Sequence, residues 1–344
     1  MNSYQRVMNT LSGQPVDRLP VFAVLGAYGG KLTNTDLRTL FSDASAYVAG
    51  QQALQKEFCF DLVMTAFDYS VIAEAFGGEV AWSVDQVPNM KRPAVRKAAD
   101  ALLLPLPDVS STGRLPVILE MNRQLADLYK EQVPIISVLP GPCILPSLLV
   151  GIEQWMEAVL FDEDLAQKLL DYTAPFFVSW ANALLAAGAD CLVFTEGMAS
   201  AEIVPRGMFE ERFLPHLRNI CAQINGPKVI SSTGGSLNHV LDLLPGLNGL
   251  AGVISGSKDN LADAQRLIGP DLTIIGNLDN LTLPAVSVNE VYEMSLARLH
   301  TAAPAGHFIL ANAGADITQA TPPANLRAML VAVAEYSART GCGL

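Results

Sequence analysis

Two carboxylates, Asp68 and Glu196, are the residues of this chain best placed to move a proton. Each follows a short apolar run: Asp68 in Phe67-Asp68-Tyr69, after Leu62–Ala66, and Glu196 in Thr195-Glu196-Gly197, after Cys191–Thr195. A carboxylate so placed can act as a general acid or base, or orient a leaving heteroatom. Hydroxyl and amide groups follow the other apolar runs, in Ser231-Ser232-Thr233-Gly234-Gly235, Gly276-Asn277-Leu278-Asp279 and Asn312-Ala313-Gly314. Asp68 and Glu196 are therefore the catalytic candidates. Tyr28, Tyr69, Ser231, Thr233, Asn277, Asp279 and Asn312 are the candidates for holding a small polar substrate.

Each candidate also has a plainer reading. Asp68 could cap a helix beginning near Val71, because Asp is a favoured N-cap. Glu196 precedes Gly197 and a loop of small residues, where no cap is expected. The Ser/Thr/Gly run at 231–235 could cradle an anion at the start of a helix near Leu237, or simply start it. Asn277 and Asp279 could bind substrate or fix a turn. No two of His216, His239, His300 and His307 have metal-ligand spacing, and no cysteine stands beside them, so no motif supports a metal.

These residues need a frame that brings the ends of many strands together. The strand candidates are Leu19–Leu25, Leu62–Ala66, Pro134–Leu139, Cys191–Thr195, Lys228–Ser232, Leu250–Ser255, Leu272–Ile275 and His307–Ala311. Most are continuously apolar, as parallel strands buried on both faces should be. Helical patterns separate them: Asp162–Ala187, Phe209–Ile224, Leu237–Leu244, Asn260–Ile268, Ser287–His300 and Ala324–Thr340. Eight strands alternating with helices predict a (β/α)8 TIM barrel, an α/β fold whose active site lies at the C-terminal ends of its strands. No G-x-G-x-x-G follows the first strand, which argues against a dinucleotide-binding open sheet. Residues 1–344 read as one barrel domain, with 77–108 as a hairpin or lid over the mouth.

Composition narrows the partners. The 344 residues include 34 acidic against 22 basic, a net charge of −12, and half are hydrophobic. That charge argues against nucleic acid or an anionic membrane surface as partner. Cys59, Cys143 and Cys191 sit in apolar segments and none of the five cysteines forms a CxxC pair, which reads as reduced core cysteine. The N-terminal residues lack the apolar stretch of a signal peptide, and prolines at 140, 142 and 146 break the apolar segment 134–152. These signs predict a cytoplasmic protein without a membrane span, and a homodimer would suit the apolar excess.

At the strand ends the chain resembles the uroporphyrinogen decarboxylase superfamily, and within it the corrinoid-dependent, methylcobamide:coenzyme M type methyltransferases. The resemblance rests on Asp17-Arg18-Leu19-Pro20-Val21-Phe22, on the segment from Phe67 to Gly77, and on Met198-Ala199-Ser200. It also rests on Ile275-Gly276-Asn277-Leu278-Asp279, which matches the family's G-N-x-D turn, and on the segment from Thr321 to Leu326. It spans essentially the whole chain and implies a uroporphyrinogen decarboxylase-like barrel. The decarboxylase's catalytic aspartate corresponds to Asp68, but its arginine-rich segment reads Ala23-Val24-Leu25-Gly26-Ala27-Tyr28-Gly29-Gly30 here. The thiol-methylating enzymes' zinc positions read Ser231-Ser232-Thr233 and Ala313, so no zinc is predicted at the family site.

The resemblance thus implies a corrinoid-dependent methyltransferase handling a small non-thiol compound, methoxylated or N-methylated. Its cobalamin would be carried by a separate corrinoid-binding protein, since no Asp-x-His-x-x-Gly signature occurs in this chain. Asp68 and Glu196 would protonate or orient the leaving heteroatom. Two alternatives stand beside it. A lyase acting on a small acid would need a cation in the mouth, from Lys31, Lys91, Arg92 or Arg206. A non-catalytic relative would have Asp68 and Glu196 paired to structural groups.

Overall fold

The structure, a computed structural model, describes residues 1–84 and 86–341; Asp85, in the expected hairpin, and Cys342 lie outside the described residues. Among the described residues nine strands form: β1 (Val63–Met64), β2 (Glu79–Ala81), β3 (Asn89–Arg92), β4 (Ile135–Pro140), β5 (Cys191–Thr195), β6 (Lys228–Ser231), β7 (Leu250–Ile254), β8 (Thr273–Asp279) and β9 (Phe308–Ala313). Seven of them make one parallel sheet in the order β1-β4-β5-β6-β7-β8-β9. They are buried along nearly their whole length, which is why they read as unbroken apolar runs.

The eighth stave departs from expectation. Leu19–Leu25 forms no ladder strand; it touches β9 through a single parallel bridge, Val21 to Leu310. The Phe22 N–H donates to Leu310 O (3.0 Å), Leu310 N–H to Pro20 O (3.1 Å) and Asp61 N–H to Val21 O (3.0 Å), so the segment closes the barrel between β9 and β1. Pro20 has no N–H to give a ladder. Side chains satisfy the segment's donors instead. Asp61 Oδ2 accepts from Val21 N (2.9 Å), Asn312 Oδ1 from Val24 N (2.8 Å), and the Asp316 carboxylate from Gly26 N (2.6 Å) and Ala27 N (2.7 Å).

Most helices follow their sequence signals. Asp162 caps Glu163–Ala186 by accepting from Leu165 N, and Ser287 and Glu290 form a capping box at the start of Val288–Ala302. The expected helix at Leu237–Leu244 is only a 3₁₀ turn, Leu241–Leu243. Neighbouring loops hold its start: Glu202 accepts from Ser236 N (3.1 Å), and Asp259 from Ser236 Oγ (2.5 Å) and Leu237 N (3.2 Å). Those contacts direct the chain away from a helical path. Cys143 and Cys191 are buried as expected, whereas Cys59 is exposed at a helix end with φ 54°.

Within 77–108, β2 and β3 pair antiparallel, and Trp82 beyond β2 lies 4.8 Å from the Arg114 guanidinium and 5.5 Å from that of Arg38. Among the described residues no helix is long and apolar enough to cross a membrane.

Asp61 anchors the closing stave at the barrel base. It is buried and accepts from Arg6 (2.7 Å), Arg18 (2.6 and 2.9 Å) and Ser3 (2.9 Å) as well as from Val21 N. Removing one partner of such a cluster leaves the others uncompensated. Asp61→Ala should therefore lower the unfolding free energy by roughly 3–5 kcal/mol in urea titrations, and a loss under about 1 kcal/mol would contradict this role.

Candidate functional site

The strand ends bring Tyr69, Thr195, Ser231 and Thr233 together. Residues Cys191, Val193 and Thr195 alternate toward the barrel axis, as do Val229 and Ser231 on the neighbouring strand, so Thr195 and Ser231 crown one bore. Phe67 stands edge-on to Tyr69 at 5.1 Å and fixes its ring. The Tyr69 hydroxyl donates to Thr195 Oγ1 (2.5 Å), and Thr195 donates onward to Leu139 O (3.0 Å). Thr233 also meets the Tyr69 hydroxyl, and Ser231 Oγ accepts from Thr233 N (3.1 Å). Burial raises the Tyr69 pKa, so its hydroxyl stays protonated near neutrality. Below the hydroxyls lies an apolar cavity of about 60 Å³ that Thr195 and Ser231 help to line.

Asp68 is turned to other work. Its Oδ1 accepts from Ser70 N (2.8 Å) and Ser70 Oγ (2.5 Å), so it holds the first amide of the helix Ser70–Ala75 from one residue outside the N-cap, which is Tyr69 rather than Asp68. Its Oδ2 takes a 2.5 Å ion pair from Arg114, which also reaches Glu74 at 2.7 Å. Glu196 is a cap, against expectation. Its two oxygens accept from Met198 N (3.1 Å), in the 3₁₀ turn Gly197–Ala199, and from Cys143 N (2.8 Å). Neither carboxylate lines the cavity.

Four other candidates are likewise held internally. Tyr28 is buried against Phe58 and donates to Thr321 O (2.8 Å). Asn277 donates to Gly256 O (2.7 Å) and Asp259 O (2.9 Å), tying the end of β8 to the loop after β7. Asp279 fixes a turn through Leu281 N (3.0 Å) and Thr282 Oγ1 (2.8 Å). Asn312 staples Val24 while donating to Ala315 O (3.1 Å).

The 231–235 run does not open a helix, and the carboxylates of Glu202 and Asp259 occupy the amides of Ser236 and Leu237 where an anion would sit. The cations that a lyase would need are also engaged. Lys31 donates to Gln319 O (2.6 Å), Lys91 and Arg92 pair with Glu79 (3.7 and 2.6 Å), and Arg206 pairs with Asp242 (2.6 Å).

Sequence reasoning passed over two residues. Thr195 was legible by parity, as the last inward residue of its strand. Asp316 carried no local signal. It lies three residues beyond β9 and acts on a segment some 290 residues away, where burial lifts its pKa to about 7. The positions of the zinc set implied by the resemblance are occupied by hydroxyls and an alanine. Ser231 accepts from Thr233 N, Ser232 Oγ donates to Gly235 O, and Ala313 offers no ligand atom, so these residues do not fit zinc.

Burial raises Glu196 from its ordinary 4.5 to about 7, against the pull of its two amide donors. The folded protein therefore keeps a proton that the unfolded chain loses. The stability linked to that proton is complete below about pH 4.5 and is lost as pH rises through about 7. Glu196→Gln removes the titration. Between pH 4.5 and about 8 the wild type should lose on the order of 3 kcal/mol relative to the variant in urea unfolding. A pH-independent difference would contradict the assignment.

A profile of the family described as Uroporphyrinogen decarboxylase (URO-D) matches residues 2–336. The methylcobamide:CoM methyltransferase MtaA of Methanosarcina barkeri is 25% identical, over 97% of this chain and 98% of its own length. MtbA of Methanosarcina mazei, also a methylcobamide:CoM methyltransferase, is 28% identical over 96% and 97%. The uroporphyrinogen decarboxylase of Alkalilimnicola ehrlichii is 28% identical over 97% and 94%. In structure, a methyltransferase from Methanosarcina mazei superposes with a TM-score of 0.86 over 98% of this chain and 99% of its own, at 21% identity. That likeness agrees with the barrel. These relatives are all enzymes, and the chain belongs to the uroporphyrinogen decarboxylase family.

Proposed function

We propose that this protein is a corrinoid-dependent methyltransferase, moving a methyl group between a small non-thiol compound and cobalamin carried by a separate corrinoid-binding protein. The observation that carries the reading is a mouth of hydroxyls, Tyr69, Thr195, Ser231 and Thr233, on a frame similar throughout its length to methylcobamide:CoM methyltransferases. The docked corrinoid and its methyl group are substrates here. A methoxylated or N-methylated donor suits this mouth, because its heteroatom can be met by hydroxyls and its methyl group needs no polar partner.

In the demethylating direction the carbon–heteroatom bond breaks, the methyl group goes to cobalt(I), and the heteroatom keeps the bonding pair and takes up a proton. Tyr69 is the proposed donor of that proton, its O–H turning from Thr195 Oγ1 to the heteroatom as the bond breaks. Thr195 orients it, because Thr195 gives its own proton to Leu139 O and so can only accept from the phenol. Ser231 accepts from Thr233 N, which leaves its O–H to hold the heteroatom. Asp68 and Glu196 act in this scheme as positioning groups. Asp68 starts the helix that follows Tyr69, and Glu196 sets the turn that follows Thr195.

The test is an assay with cob(I)alamin, free or protein-bound, and a panel of methoxylated and N-methylated small molecules, read as methylcobalamin formation. Transfer from at least one donor is expected, and Tyr69→Phe should slow it by about 10²-fold with little change in KM. Absence of methylcobalamin with every donor, together with no demethylation of supplied methylcobalamin, would overturn the reading. A Tyr69→Phe rate equal to wild type would remove Tyr69 as the proton donor.

A further inference from the structure

A cavity lies beneath the mouth, within a barrel interior built from layers of branched side chains. Its wall is formed largely by β-branched residues, among them Val138, Val193, Val229 and Ile254. Its floor is the first helix, Ser3–Leu11, through Val7, Met8 and Leu11. Both Cys191 and Thr195 line it, four residues apart on β5, so it runs roughly 13 Å along that strand.

The walls below Thr195 and Ser231 are almost wholly apolar. Asp190 is the one carboxylate among the lining residues, and it accepts from Ile135 N (2.8 Å) at the base. Such a space offers water too few partners and favours an apolar occupant. A cavity that admits benzene measures about 150 Å³. Some 60 Å³ spread over this length is a narrow bore, suited to a chain of methylenes and too slender for a ring.

We infer that the axial bore is a binding compartment for an unbranched aliphatic tail, which selects substrates whose heteroatom sits at Ser231 and Tyr69 with a straight alkyl chain reaching down the barrel. The inference rests on the reading of the mouth as the site of a methylated substrate, and it narrows that class to linear aliphatic compounds. Each methylene entering the bore leaves water for a dry apolar wall, a gain of about fourfold in affinity per carbon.

The experiment is calorimetric titration of the intact protein with n-alkyl methyl ethers, from methyl ethyl to methyl octyl ether. Affinity should rise about fourfold per carbon and then level off once the bore is full. Val193→Leu, which adds one carbon to the wall, should bring the plateau to a shorter chain. Affinity that ignores chain length in the wild-type protein would overturn the inference, whether or not the variant folds. So would a plateau left unmoved in a folded Val193→Leu protein. The titration needs no corrinoid. Chain-length-dependent binding without methyl transfer would keep the bore and sink the methyltransferase reading, and transfer from donors of any length with a flat titration would do the reverse.

Discussion

The closing of the barrel at its first stave is the constraint on which the rest of the structure depends. Residues 20–27 must fill the gap between β9 and β1 without a strand ladder, because Pro20 lacks a donor and the segment makes only one bridge. Buried amides must still be satisfied. Asp61 does this at the base, Asn312 midway and Asp316 at the mouth. The conspicuous polar residues near this seam are thereby committed before any ligand arrives. The same commitment runs around the rim, where Asn277, Asp279, Asp68 and Glu196 each hold a turn, a loop or a helix start.

What remains facing the axis is the pair of hydroxyls of Thr195 and Ser231 above an apolar bore, with Tyr69 and Thr233 bonded to them. Hydroxyls are modest ligands for a borderline-soft cation such as zinc, which favours histidine nitrogen and thiolate sulfur. They are good at meeting an ether oxygen or an amine nitrogen, and a phenol kept protonated by burial can pass a proton to either. A frame similar to that of methylcobamide:CoM methyltransferases is thus joined to a mouth lined by hydroxyls. Fold alone does not decide function, and here the difference lies in a few side chains at the strand ends.

Much of the frame was legible in the sequence because parallel strands buried on both faces are written as unbroken apolar runs, and Cys191–Thr195 emerges with the expected bounds. The first stave was less legible: Leu19–Leu25 has strand composition, yet its donors bond to side chains far along the chain. The helix expected at Leu237 fails for a similar reason, since Glu202 and Asp259 from other loops take its first amides. At the site, position was easier to read than role. A carboxylate after a strand lies at the mouth whether it faces substrate or caps a turn, and only the partners of Asp68 and Glu196 separate the two. Thr195 could have been found from the alternation of its strand. Asp316 could not, because its role exists only through a contact closed by the whole barrel.

The central claim is that the hydroxyl mouth has replaced thiol activation, and it is tested most directly by supplying methylcobalamin and coenzyme M to the purified protein, with and without added zinc, and following the loss of methylcobalamin. The account predicts no thiol-dependent demethylation in either condition and no stoichiometric zinc retained after dialysis. Zinc-dependent methylation of coenzyme M would contradict it, and would mean that ligands other than those at Ser231, Ser232, Thr233 and Ala313 assemble a metal site in this barrel.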